Sequence, residues 1–209
     1  MSRSRILEEL KRLPTYPEEL GLDLSKPEDR FKWLLASMLF AKRISAKIAL
    51  RAYRSLMARG YTSPEAILEA GWDAIVEALD EAGYVRYDFS TATYLLEAAK
   101  ALREVGGLEA IYEAAEGPRD LEARLMELKG VGPTAVNIFL RELRGVWSKA
   151  RPKPSKLAFE AAQRLRLPLS QVEELEPRLV RLALEYCKPR KCRLCPVNWA
   201  CSNPQRIQV

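Results

Sequence analysis

Histidine is absent from all 209 residues, and that one gap removes several chemistries. Zinc held by mixed Cys and His ligands, imidazole acid–base catalysis, a Ser-His-Asp triad and the His-containing zinc deaminase signature all need the missing ring. No stretch approaches the roughly 18 apolar residues of a membrane helix. Met1-Ser2-Arg3-Ser4-Arg5 leads directly into an amphipathic segment, with neither an apolar signal core nor a cleavage site. The expectation is a cytoplasmic protein with no membrane partner. Strand-like alternation, internal repeats, low complexity and long flexible linkers are missing too, which leaves helices packed on helices: an all-α chain.

What is present is a hydrophobic fraction of 48% beside 30% charged residues, enough to bury a substantial core. The net charge of +6 is unevenly placed. Residues 1–140 carry 19 Lys and Arg against 22 acids, whereas residues 141–209 carry 15 against 6. Basic charge concentrated in one third of a folded chain suits a polyanion, although a merely solvated face has the same composition.

Helical spacing predicts a first helix over 4–13, a loop punctuated by Pro14 and Pro17, and a buried helix over 31–40 that begins near Ser25-Lys26-Pro27. Ser45 caps the next helix, which stops at Gly60. Ser63-Pro64-Glu65 opens a short helix ending near Gly71, Trp72 starts another that closes at Gly83, and Ser90 begins the one after.

Helical spacing over 121–128 is then interrupted by Lys129-Gly130-Val131-Gly132-Pro133 before helix resumes. The glycines permit backbone angles closed to other residues and let an outside group approach the main chain. Val131 can plug the gap between the helices, and Pro133 starts the second one where no N–H is missed. The free N–H groups of that helix start form a site for an anion such as a phosphate. A plain αα-hairpin with a tight turn would read similarly.

All four cysteines lie within 15 residues, as Cys187-x4-Cys192-x2-Cys195-x5-Cys201. A cytosolic chain does not usually keep disulfides, so a metal centre is expected. Four thiolates suit a [4Fe–4S] cubane. A structural zinc is the alternative, but such sites commonly pair two Cys-x-x-Cys knuckles and this segment has one. Lys188, Arg190, Lys191 and Arg193 fill the gaps between the first three ligands and can present charge to a phosphate backbone.

Leu128-Lys129-Gly130-Val131-Gly132, followed at this distance by the cysteine loop, resembles the endonuclease III-like branch of the helix–hairpin–helix DNA glycosylase superfamily. The resemblance follows the helix order over nearly the whole chain. It implies a two-lobed fold: a six-helix barrel lobe over 24–142 that includes the helix–hairpin–helix at 120–143, and a discontinuous lobe of 1–23 with 143–209 carrying the iron–sulfur loop. It also implies a monomer that binds double-stranded DNA and flips a damaged nucleotide out of the stack. Lys129, Gly130, Val131, Gly132, Thr134, Lys188, Arg190, Lys191 and Arg193 would contact DNA, and Lys42 stands where the family probes the gap left by the flipped base. The first cysteine gap is shorter than the family's usual one, which predicts a tighter loop.

The family's chemistry uses a lysine just after the hairpin, which forms a Schiff base with the sugar, and an aspartate beyond the second helix. This sequence departs at both. Thr134 replaces the lysine, and residues 145–158 contain no carboxylate, with Ser155 or a neighbour at the acid's place. Lys149, Lys153 or Lys156 is the candidate replacement nucleophile, with phosphate contact or plain solvation as its ordinary alternative. Asp88 is the candidate carboxylate, with helix capping as its alternative. The expected function is base excision, as a glycosylase, an abasic-site lyase or both; a non-catalytic DNA-binding or lesion-recognition homologue is the second class.

Overall fold

A computed structural model describes residues 3–202, and among them every regular element is helical. The α-helices are α1 (Arg3–Arg12), α2 (Tyr16–Glu19), α3 (Pro27–Phe40), α4 (Ala46–Ala58), α5 (Pro64–Glu81), α6 (Asp88–Val105), α7 (Leu108–Ala114), α8 (Pro118–Glu127), α9 (Pro133–Glu142), α10 (Lys156–Arg164) and α11 (Val172–Leu182). A π-helical turn (Ala183–Cys187) and two 3-10 turns (Cys192–Leu194 and Asn198–Ala200) carry the cysteines. No helix of the described residues is long and apolar enough to cross a membrane.

The helix starts follow local chemistry. Ser45, Ser63 and Ser155 each accept a first-turn N–H with the side-chain hydroxyl, and proline occupies the first turn of α3, α5, α8 and α9. Gly71, at φ 74° and ψ 175°, kinks α5 where the sequence suggests a break between two helices. The Pro14–Pro17 segment is more ordered than a loop. The Thr15 hydroxyl accepts from the Glu18 N–H while the Glu18 carboxylate accepts from the Thr15 N–H, a capping box that winds one turn of helix. Helix α6 begins at Asp88, two residues before the expected Ser90.

The chain forms two compact units, residues 22–152 and residues 1–21 with 153–209. In the first, α3 is buried on nearly all sides, and α9 and α4 pack against it. Its Trp33 indole N–H donates to the Phe139 carbonyl at 3.3 Å, and the Tyr84 hydroxyl donates to the Leu39 carbonyl at 2.9 Å. Residues 143–152 belong to this unit, whereas the sequence groups them with the cysteine segment. Buried Trp147 explains this. It stacks on Tyr112 with ring centres 4.7 Å apart, meets Phe139 edge-on, and lies under the Arg30 guanidinium at 5.7 Å.

In the second unit, Ile6 and Leu10 of α1 pack with Ala158, Ala161 and Ala162 of α10, Leu175 and Leu179 of α11, and Val197 of the cysteine loop. Ion pairs from Arg178 to Glu18 and from Arg181 to Glu19 tie the N-terminal segment to α11. That explains how two segments distant in sequence share one core.

Candidate nucleic-acid interface and thiol cluster

Helices α8 and α9 form a hairpin whose turn is built from within. The Val131 N–H donates to the Leu128 carbonyl at 3.0 Å, and Val131 is buried at 3% exposure, filling the gap as its position suggests. Gly130 has φ +81°, and a Cβ there would lie 2.5 Å from the Cβ of Tyr94 and 2.6 Å from its Cγ. This glycine is therefore required both by its backbone angle and by the ring pressed on it.

Gly132 differs. Its φ of −89° and ψ of 179° are open to any residue, and a Cβ would meet nothing within 4 Å. The bare backbone at Gly132 consequently faces open space. Exposed Pro133 and Thr134 follow, and no side chain caps α9. The first-turn N–H groups of Thr134 and Ala135 are left to bind an external acceptor, and exposed Lys129 flanks them. Thr134 itself lies on the surface, with no general base hydrogen-bonded to it among the described residues.

The three candidate lysines are not gathered. Lys149 donates to the Tyr112 and Glu113 carbonyls at 2.7 and 3.3 Å and lies over the Tyr112 ring, so its ammonium closes the C-terminal end of α7. Lys153 is exposed before α10. Lys156, at the start of α10, is 90% exposed and 3.8 Å from Glu160.

Asp88 is the first residue of α6 and only 8% exposed. Asp80, near the end of α5, is hydrogen-bonded to it, and that bond together with the Asp88 charge raises the Asp80 pKa. Asp80 therefore holds its proton more tightly than an ordinary carboxyl. Sequence reading named Asp88 without its companion. The seven residues between them span the turn joining two helices, which is the signal that could have paired them.

Residues 145–158 lack a carboxylate, but the fold brings one to them. The Ser155 N–H donates to Glu176 Oε1 at 2.7 Å while the Ser155 hydroxyl caps α10. Glu176, on α11, is wholly buried. A glutamate inside an amphipathic helix gives no local sign of this role.

Lys42 follows α3 and is half-buried, its ammonium 4.7 Å from the centre of the Tyr94 ring. Burial lowers its pKa.

The four cysteines are free thiols, each half-buried. Two of them, Cys195 and Cys201, end the 3-10 turns that begin at Cys192 and Asn198. Burial pushes the Cys195 thiol up to about 11, and the charges of Cys187, Cys201 and Cys192 add to it. Burial likewise raises Cys187, with the Arg164 guanidinium pulling the other way. For these two thiols burial disfavours the thiolate unless a nearby positive charge compensates it. No group of three or more Cys, Asp or Glu among the described residues stands arranged to hold a metal ion. The cations Lys188, Arg190, Lys191 and Arg193 are all exposed, and Arg190 takes the left-handed region at φ +58°.

No known family model matches this chain, and no curated protein matches it.

Proposed function

We propose that the protein binds double-stranded DNA and acts in base excision, as a glycosylase, an abasic-site lyase or both, in the manner of the endonuclease III-like branch. The observation that carries this reading is the hairpin turn. An uncapped first turn of α9, a glycine whose missing Cβ faces open space and an exposed lysine together make a seat for a phosphate that reads no sequence. On this reading residues 22–152, which hold α3 to α9, correspond to the family's barrel lobe, and the basic cysteine loop adds phosphate contacts. Cys187, Cys192, Cys195 and Cys201 would hold a [4Fe–4S] cluster, which when bound supplies a rigid clamp for the loop and a centre of one-electron chemistry. The protein's own part is to present Lys188, Arg190, Lys191 and Arg193 on a loop anchored by buried Val197.

A non-catalytic DNA-binding protein is the second reading. It is favoured by the surface position of Thr134 and by the engagement of Lys149 with α7 carbonyls. Duplexes carrying single lesions, mismatches or an abasic site, scored for free base and for strand nicking, distinguish the two. Binding to every duplex without product supports the second. A protein that fails to bind duplex at low ionic strength refutes both.

A further inference from the structure

A cavity of about 620 Å³ opens within the unit of residues 1–21 and 153–209, where Arg3 and Arg166 meet an apolar wall that includes Ile6, Leu167, Pro168 and Trp199. Its volume is that of a small-molecule site. No carboxylate lines it. Among the described residues none pairs with Arg3, with Arg166 or with Arg5, whose guanidinium lies over the Trp199 ring at 4.7 Å. Guanidiniums left without counter-charge beside an apolar wall make a field that an anion would satisfy. The Trp199 indole N–H is spent on the Pro196 carbonyl at 3.2 Å, so Trp199 offers the cavity ring surface and no donor. One thiol, Cys201, reaches the cavity, which separates it from a seat that all four would line.

The backbone at Arg166 is a second, independent observation. Helix α10 ends in two reversing bonds, from the Arg166 N–H to the Gln163 carbonyl and from the Leu167 N–H to the Ala162 carbonyl, each 3.0 Å. This ending puts Arg166 in the left-handed region at φ +53°, a place that glycine fills without strain. The turn itself needs no side chain there. Arginine is carried against the preference of the backbone, and it is this arginine that lines the cavity.

We propose that this cavity binds a nucleoside monophosphate, with the base against Trp199, Leu167 and Pro168 and the phosphate on Arg3 and Arg166. The site lies apart from the duplex-binding residues named above and does not rest on that reading. Guanidinium forks match phosphate oxygens two at a time, which holds the charged end of the ligand. A flat base gives the apolar wall a partner, since stacking on an aromatic ring accepts any base. Inorganic phosphate would leave most of the cavity unfilled, and an uncharged nucleoside would leave the guanidiniums unanswered. A free mononucleotide and the phosphorylated 5′ end of a strand carry the same chemistry.

The test is equilibrium dialysis of the full chain against labelled adenosine 5′-monophosphate, with adenosine and inorganic phosphate as partial ligands. The expected result is one site per chain for the monophosphate, with each partial ligand weaker by about tenfold or more. Arg166→Gly is the informative variant, because glycine suits φ +53°. It should melt at the wild-type temperature or above it, while monophosphate binding weakens by about tenfold or more. An arginine kept for the fold alone would show the reverse, a lower melting temperature with unchanged binding. Arg3→Gln, at an exposed position in the first turn of α1, repeats the binding measurement without touching α10 and decides the case if Arg166→Gly is destabilised. Unchanged binding in these variants, a partial ligand held as tightly as the monophosphate, or no ligand retained at millimolar concentration overturns the proposal. A 5′-phosphorylated oligonucleotide that displaces the monophosphate identifies a strand end as the source, and one that does not identifies the free nucleotide.

Discussion

Replacing Gly130 by alanine tests whether the hairpin turn is built as described. The new Cβ would have to accept a φ of +81° and would sit 2.5 Å from the Tyr94 Cβ, an atom attached directly to the α6 backbone. The angle alone costs about 1–2 kcal/mol. Overpacking against an atom that cannot rotate away adds about 1–3 kcal/mol. The sum, about 2–5 kcal/mol, corresponds to a fall in melting temperature of about 5–15 °C for a chain near this length. Gly132→Ala is the matched control, since its backbone angles are ordinary and its Cβ would meet nothing. Its melting temperature should change by about 2 °C or less, while its duplex affinity falls because the new methyl stands where a phosphate would approach. Thermal melts followed by far-ultraviolet circular dichroism, paired with fluorescence anisotropy on a labelled duplex, read both quantities. Tyr94→Ala should not rescue Gly130→Ala, because alanine keeps the offending Cβ. A Gly130→Ala protein that melts within a degree of wild type would refute the packing argument, and equal loss of stability in both glycine variants would refute the assignment of different roles.

Other outcomes follow from the same structure. If about five phosphates are neutralised, log affinity should fall against log salt with a slope near −4 to −5, and alanine at Lys188, Arg190, Lys191 and Arg193 together should flatten it by about one unit per lost contact. Purified protein should carry about four irons with matching sulfide, and Cys195→Ser should lower the iron content; a colourless protein with one zinc per chain would identify the other metal. Because Asp80 binds its proton more tightly when folded, the pair stabilises the fold below the ordinary carboxylate pKa and loses that contribution as pH rises through the raised value. Asp80→Asn should therefore gain stability relative to wild type between pH 4 and pH 7 in urea denaturation, and a constant difference would count against the pair. Glu176→Ala should cost about 2–4 kcal/mol, from a cavity and an unsatisfied Ser155 N–H, with Glu176→Gln milder because it keeps an acceptor.

Much of the fold was legible locally. Ser45, Ser63 and the glycine at 71 punctuate helices by chemistry that acts within a few residues, and the structure places those boundaries where that chemistry suggests. The Thr15–Glu18 box was equally local but was masked by the two prolines around it. The division at 152 was not legible, because what holds residues 143–152 on the first unit is Trp147 against Tyr112 and Phe139, contacts made with residues distant or ambiguous in sequence. Nor does helical periodicity mark which of two glycines in a turn is structural. Gly130 and Gly132 look interchangeable as letters and differ only once Tyr94 stands beside one of them.

The candidate site divides along the same physical line. Residues whose task depends on the turn that carries them, such as Val131 and Pro133, could be assigned from spacing because their geometry is set by the backbone next to them. Charged side chains could not, since their chemistry is decided by what the fold brings near. Lys149 and Lys42 are both lysines flanked by ordinary sequence, yet one is fixed by two carbonyls and the other faces only an aromatic ring. One ammonium is spent on backbone acceptors, whereas the other rests on the face of a ring, a contact that needs its positive charge. What a lysine contacts is thus decided by the fold, which position in the chain does not reveal.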